Sequence, residues 1–216
     1  MSIAALLPEG VAVAEIFGSD PGEALLPEEE DALGMVVNRR RLQFTAGRNC
    51  ARRALAELGC PPEPILRGPD HEPVWPGGVV GSITHCSGYA AAAVASRQRM
   101  VTVGIDAEEH APLPGRVVEM IAGPYEQRWL EGIAEGAIHW DRVLFSAKES
   151  VFKAWFPLVR RRLRFREAVL TIRPDGTFAA RLPPEAPSAG GRPLERFDGR
   201  YGVIDGLVLT TVAIPA

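Results

Sequence analysis

Twice along these 216 residues the apolar side chains recur at helical spacing and then change to the alternation of short strands. That double switch of period limits the architecture more than any other feature. Pro27 with acidic residues 28–31 reads as a helix start. Leu33, Val36, Val37, Phe44, Ala51, Ala54, Leu55 and Leu58 then supply an apolar face that Gly59 ends. Gly47 offers a division of this region into two helices. Strand-like runs follow at Val79–Cys86, Ala90–Ser96 and Val101–Ile105, of which Ala90–Val94 is equally helical on propensity. Residues 107–126, with Pro112, Pro114 and Pro124, read as irregular. A second helix is predicted from Ile138 to Phe156, stopped by Pro157. Two hairpins follow, turning at Asp175-Gly176 and Asp205-Gly206, with 183–200 as a surface loop between them. The order helix, strands, helix, strands predicts an α+β fold of two halves, 1–105 and 106–216, although no sequence repeat is visible.

Composition removes several classes. No apolar run approaches the 18 residues of a membrane span. A secretory leader is not expected, because the first basic residue is Arg39 and Pro8-Glu9 interrupt the early apolar stretch. Cys50, Cys60 and Cys86 cannot all pair and form no C-x-x-C, which argues against a disulfide framework or structural zinc and for a cytoplasmic protein. Residues 1–38 carry eight acidic and no basic side chains, so the remaining body has a basic surplus suited to an anionic small molecule or an acidic protein. Of 24 basic residues only Lys148 and Lys153 are lysine. Where lysine survives among 22 arginines, a compact ammonium is favoured over a planar fork.

Four clusters could carry chemistry. If the third strand continues, alternation places Val101, Val103 and Ile105 on one face, and Asp106 with Glu108 on the other. Paired carboxylates there suit a hard cation such as Mg2+, or simply face water. Glu149 and Lys153, at i and i+4, form either a surface ion pair or a site in which the glutamate meets a metal or a proton and the lysine a phosphate. Lys148 lies about 100° round the helix. His85 ends a strand beside Ser82 and Thr84, with no nucleophile elbow or third triad member. Arg41, Arg48 and Arg52 would share a helix face able to hold a phosphate, and Arg160, Arg161, Arg162, Arg164 and Arg166 form another basic cluster. No Gly-rich phosphate loop is present. The set suits a Mg2+-bound, doubly phosphorylated small molecule.

The ordered trio G-S-I-T-H-C (81–86), G-I-D-A-E (104–108) and F-S-A-K-E-S-x-F-K-A-W (145–155) resembles the 4'-phosphopantetheinyl transferases, in the branch with enterobactin-synthetase-type members. Pro73-Val74-Trp75-Pro76 and the arginines around 40–53 are similar as well, and His71 stands where a glycine is expected. The resemblance spans about residues 36–166. It implies a pseudo-twofold α+β fold with coenzyme A between the halves. A serine of an acyl or peptidyl carrier protein would attack the pantetheine-side phosphorus and release 3',5'-ADP. It also implies that Asp106, Glu108 and Glu149 hold Mg2+, with Glu149 as ligand, general base or both. Lys153, assisted by Lys148, would neutralise the diphosphate. Arg40, Arg48 and His85, with Arg67 and Thr84 nearby, would hold the 3'-phosphate and adenosine end. One chain would suffice. The alternatives are a silent coenzyme A or carrier-protein binder and a Mg2+-dependent nucleotide pyrophosphatase.

Overall fold

The computed structural model describes residues 2–133, 136–184, 188–189 and 192–216. Strand β1 (Val11–Phe17) leads into helices α1 (Pro27–Leu33) and α2 (Asn38–Glu57), then strands β2 (Val79–Cys86), β3 (Tyr89–Ser96) and β4 (Met100–Glu109). Helices α3 (Gly115–Ile121), α4 (Pro124–Gly132) and α5 (Trp140–Val159) follow. The chain ends with β5 (Val169–Ile172), β6 (Thr177–Arg181), the two-residue β7 (Ser188–Ala189) and β8 (Arg192–Pro193), β9 (Arg196–Ile204) and β10 (Leu207–Pro215). One antiparallel sheet runs β1-β3-β2, a second runs β4-β10-β9-β6-β5, and β7 pairs with β8 in a separate two-stranded ribbon. The two orders match. In each half the first strand pairs with the last, the last with the one before it, and helices fill the connection between. The β5–β6 hairpin extends the second sheet beyond β9. Two similar halves are therefore visible in the topology although no repeat is visible in the sequence.

The elements follow from local composition. Strand β3 is buried on both faces, which explains its lack of alternation. Ala90, Ala92 and Val94 pack with Cys50, Ala51 and Ala54 of α2, while Ala91, Ala93 and Ala95 share a core with Val103, Ile105 and Leu209. Val143, Ala147, Val151, Ala154 and Trp155 of α5 are fully buried against the second sheet. Gly104 permits that packing. A Cβ there would lie 2.1 Å from the Ser150 carbonyl oxygen, so α5 rests directly on the backbone of β4.

Several sequence-based expectations change. The acidic leader contains β1, in which Val11, Val13, Ile16 and Phe17 favour a strand and whose partner is the alanine-rich β3. The helical region divides between Leu33 and Asn38, not at Gly47, which lies within α2 where a Cβ would come 2.9 Å from Ile83. Residues 107–126 are not irregular throughout: Pro114 precedes α3, and Pro124 opens α4 at the one helical position that needs no N–H donor. Pro157 falls in the last turns of α5, which continues to Val159 and ends with Arg160 in a left-handed conformation. Of the expected loop 183–200, residues 185–187 and 190–191 lie outside the described residues, and β9 already begins at Arg196. Strand β4 runs across the expected boundary at 105/106. No helix among the described residues is long and apolar enough to cross a membrane.

Candidate active site

The close approach of α5 to β4 brings the two acidic motifs together. Asp106 is nearly buried at 4% exposure. Its Oδ1 accepts from Lys153 Nζ at 2.8 Å and from Thr84 Oγ1 at 3.3 Å, and its Oδ2 from Ser146 Oγ at 2.8 Å. Lys153 also donates to the Ile105 carbonyl. Glu108, two residues on and so on the same face, pairs with Arg142 at 2.8 Å. The Glu149 carboxyl makes no hydrogen bond or ion pair among the described residues. Burial first, and then the charge of Asp106, push it up to about 7. Burial and Asp106 likewise raise Glu108.

Among the described residues no three His, Cys, Asp or Glu side chains stand together as a ready-made metal cage. The expectation of three carboxylates already converged on one ion is corrected to that extent. Repulsion is relieved here by cations of the chain itself, with Lys153 against Asp106 and Arg142 against Glu108. The donor set still suits Mg2+, which takes one or two carboxylates and completes its shell with water and phosphate oxygens.

A second cluster lies at the end of β2. Arg40 Nη1 is 2.9 Å from His85 Nε2, and the guanidinium groups of Arg48 and Arg67 lie over the Phe44 ring, at 4.2 and 6.0 Å from its centre. Burial, and then the charges of Arg67 and Arg40, hold Arg48 down to about 10 despite Glu29. His85 is lowered to about 4 by burial, by Arg40 and by Lys153, so its imidazole is neutral. Two buried polar atoms among the described residues lack a partner, Arg48 Nε and His85 Nδ1. Gathered cations with unused donors describe an anion site. Its members differ from the helical stripe that spacing suggested, because Arg41 pairs with Glu30 and Arg52 with Glu29. Arg67 arrives from the loop after α2. Thr84, expected near the nucleotide, bonds Asp106 and accepts from Ala107 N at 3.0 Å, so it ties β2 to β4. Ser82 does the same at Ile105 N.

Between the halves runs a cleft of about 690 Å³. Trp75, Val80 and Ser82 border it from the first half, and Glu149, Phe152, Lys153, Phe156 and Phe165 from the second. Lys148 also borders it, with its ammonium turned to partners within the protein. Its ammonium donates to the Phe165 and Ala168 carbonyls at 2.6 and 2.9 Å and pairs with Glu126 at 2.8 Å, so all three hydrogens are in use. Residues that sequence reasoning missed are Arg142 and Thr210, whose hydroxyl donates to the Ser146 carbonyl. Nothing local marks either. Ser146, inside the F-S-A-K-E run, was legible as part of a motif but not as the partner of Asp106.

Comparison with known proteins agrees with this geometry. Residues 28–95 match the model of the 4'-phosphopantetheinyl transferase N-terminal domain, and residues 102–197 that of the 4'-phosphopantetheinyl transferase superfamily. The chain belongs to this family. It is similar to the 4'-phosphopantetheinyl transferase Svp of Streptomyces mobaraensis, with 48% identity covering 99% of this chain and 89% of the relative. It is also similar to the 4'-phosphopantetheinyl transferase PptT of Mycobacterium tuberculosis, with 43% identity covering 98% and 97%. Enterobactin synthase component D of Escherichia coli O157:H7 is 40% identical over 54% of this chain and 55% of its own.

Proposed function

We propose that the protein transfers the 4'-phosphopantetheine group of coenzyme A to a serine of acyl or peptidyl carrier proteins, in the cytoplasm and as a single copy. The observation that carries this reading is one connected path of side chains. The cationic group with unused donors contains His85, which feels the charge of Lys153, Lys153 bonds Asp106, and Lys153 also borders an apolar cleft. A coenzyme with an anionic nucleotide end, a diphosphate and an apolar-walled arm has that sequence of properties. The turn Arg97–Arg99 between β3 and β4 is the division we place between the halves, and it gives both metal-site carboxylates of β4 to the second.

Arg40, Arg48, Arg67 and His85 bind the 3'-phosphate end, where buried guanidinium groups neutralise a dianion that water would otherwise solvate. Lys153 faces the diphosphate, and the aromatic walls of the cleft receive the pantetheine arm. Asp106, Glu108 and Glu149 are the residues that would hold Mg2+, whose chemistry there is to neutralise the diphosphate charge. The carrier serine oxygen forms a bond to the pantetheine-side phosphorus while the bond from that phosphorus to the bridging oxygen breaks. The serine proton passes to Glu149, the one of the three carboxylates with no partner among the described residues. The electron pair leaves with 3',5'-ADP, beside Lys153.

Mass spectrometry of an apo carrier protein after incubation with coenzyme A and Mg2+ tests the reading. A phosphopantetheine adduct with stoichiometric 3',5'-ADP is expected, and Glu149→Gln should lose the adduct while still binding coenzyme A. Free phosphopantetheine with unmodified carrier would indicate a pyrophosphatase, and intact coenzyme A a silent binder.

A further inference from the structure

Each half contains a fully buried glutamate at the third position of a helix opened by proline. In the first half Glu29, 0% exposed, reaches back to Leu26 N at the start of α1 and accepts from Ile65 N at 3.0 Å. Its charge is met by Arg52 from the long helix α2. In the second half Glu126, 1% exposed, reaches back to Gly123 N and accepts from Leu170 N at 2.8 Å. Its charge is met by Lys148 from the long helix α5. The two devices occupy equivalent places in the matched topologies. Each ties a short helix, the long helix and the segment that leaves the long helix.

Those segments serve different parts of the site, the first the cationic group and the second the apolar cleft. After Ile65 come Leu66, whose carbonyl accepts from Arg48 at 3.5 Å, and Arg67 of the cationic group. Before Leu170 come Phe165 and Ala168, which border the apolar cleft and receive two of the Lys148 hydrogens. Lysine suits the second place because one compact ammonium can point its three donors at a carboxylate and two carbonyls, where a planar fork cannot.

We propose that Glu29–Arg52 and Glu126–Lys148 are equivalent positioning pairs that set the two ends of the coenzyme cleft independently, the first at the 3'-phosphate and the second at the pantetheine arm. This rests on the cleft being a coenzyme A site. Lys148 then contacts neither the diphosphate nor the reacting atoms and acts through the wall at 165–168.

Calorimetric binding of three probes tests it: coenzyme A, dephospho-coenzyme A and 3',5'-ADP. The first pair reads the 3'-phosphate contribution as an affinity ratio, and coenzyme A against 3',5'-ADP reads that of the arm. Lys148→Met is expected to reduce the arm ratio at least fivefold and leave the phosphate ratio within twofold. Glu29→Gln is expected to do the reverse. Glu126→Gln, isosteric and milder, should repeat the Lys148→Met pattern if that variant folds poorly, as judged by its melting curve. A merely structural loss would lower both ratios together in either variant, and that result would overturn the proposal. An equal loss of 3',5'-ADP and coenzyme A in Lys148→Met would overturn it by placing Lys148 on the phosphates. Failure of the wild type to prefer coenzyme A over either probe would instead overturn the coenzyme A reading itself, and this inference with it.

Discussion

Replacing Gly104 by alanine probes the close backbone approach of α5 to β4 that brings the two acidic motifs together. The added Cβ would sit 2.1 Å from the Ser150 carbonyl oxygen and 2.7 Å from Ala154 N. Ordinary contact begins near 3.4 Å, so helix and strand must separate by roughly 1.3 Å. Both neighbours are backbone atoms in mid-helix, and no side chain can turn aside to make room. Such overpacking costs typically about 1–3 kcal/mol, which in a chain of this size lowers Tm by several degrees. The larger effect falls on chemistry. Strand β4 carries Asp106 and Glu108 while α5 carries Glu149 and Lys153, so the separation opens the 2.8 Å Asp106–Lys153 pair. Misplacement of reacting groups by about 1 Å costs on the order of 100-fold in rate. Transfer to a carrier protein, followed by mass spectrometry below the melting temperature, should therefore fall at least 100-fold. Binding of 3',5'-ADP through the Arg40–Arg48–His85 group should fall little. A Gly104→Ala variant that melts normally and transfers at the wild-type rate would refute the claim that this contact registers the site.

Other outcomes follow from the cationic group. Arg48→Met should abolish most of the preference for coenzyme A over dephospho-coenzyme A, about 10- to 100-fold for one buried charged hydrogen-bond partner, measured by competition binding. His85 is held down to about 4 in the folded chain against an ordinary 6.5, so the unfolded chain binds more protons between those values. Stability should accordingly be full above pH 6.5 and fall as pH drops toward 4, by about 2–3 kcal/mol after solvent screening. Denaturant titrations of the wild type and His85→Gln should show that part of the acid-side slope missing in the variant.

The long amphipathic helix α5, strand β2 and both late hairpins were legible because their apolar side chains obey one clear period. Strand β1 was not read, although Val11, Val13, Ile16 and Phe17 favour a strand, because the acidic charge of residues 1–38 dominated that stretch and its partner β3 is far off in the chain. Helices α3 and α4 were hidden by prolines that in fact open them. At the site, Asp106 and Glu108 could be assigned to one strand face by alternation alone. That Lys153 would meet Asp106, and that Arg67 would join Arg40 and Arg48, depends on how the halves and loops pack, which no local pattern encodes. The rarity of lysine did mark two special positions, but it gave them one role. The structure separates them: Lys153 is at the acidic site, and Lys148 is beneath the cleft wall.

We propose that β4 and α5 share a divalent ion through Asp106, Glu108 and Glu149 once a coenzyme diphosphate supplies further oxygens, since Lys153 and Arg142 lie against two of these carboxylates. Mn2+ binding, followed by electron paramagnetic resonance with and without saturating coenzyme A, measures this directly. Coenzyme A should tighten Mn2+ binding severalfold or more, and Asp106→Asn and Glu149→Gln should each remove most of that gain. Equal Mn2+ affinity with and without coenzyme A, or a gain that survives both substitutions, would contradict it.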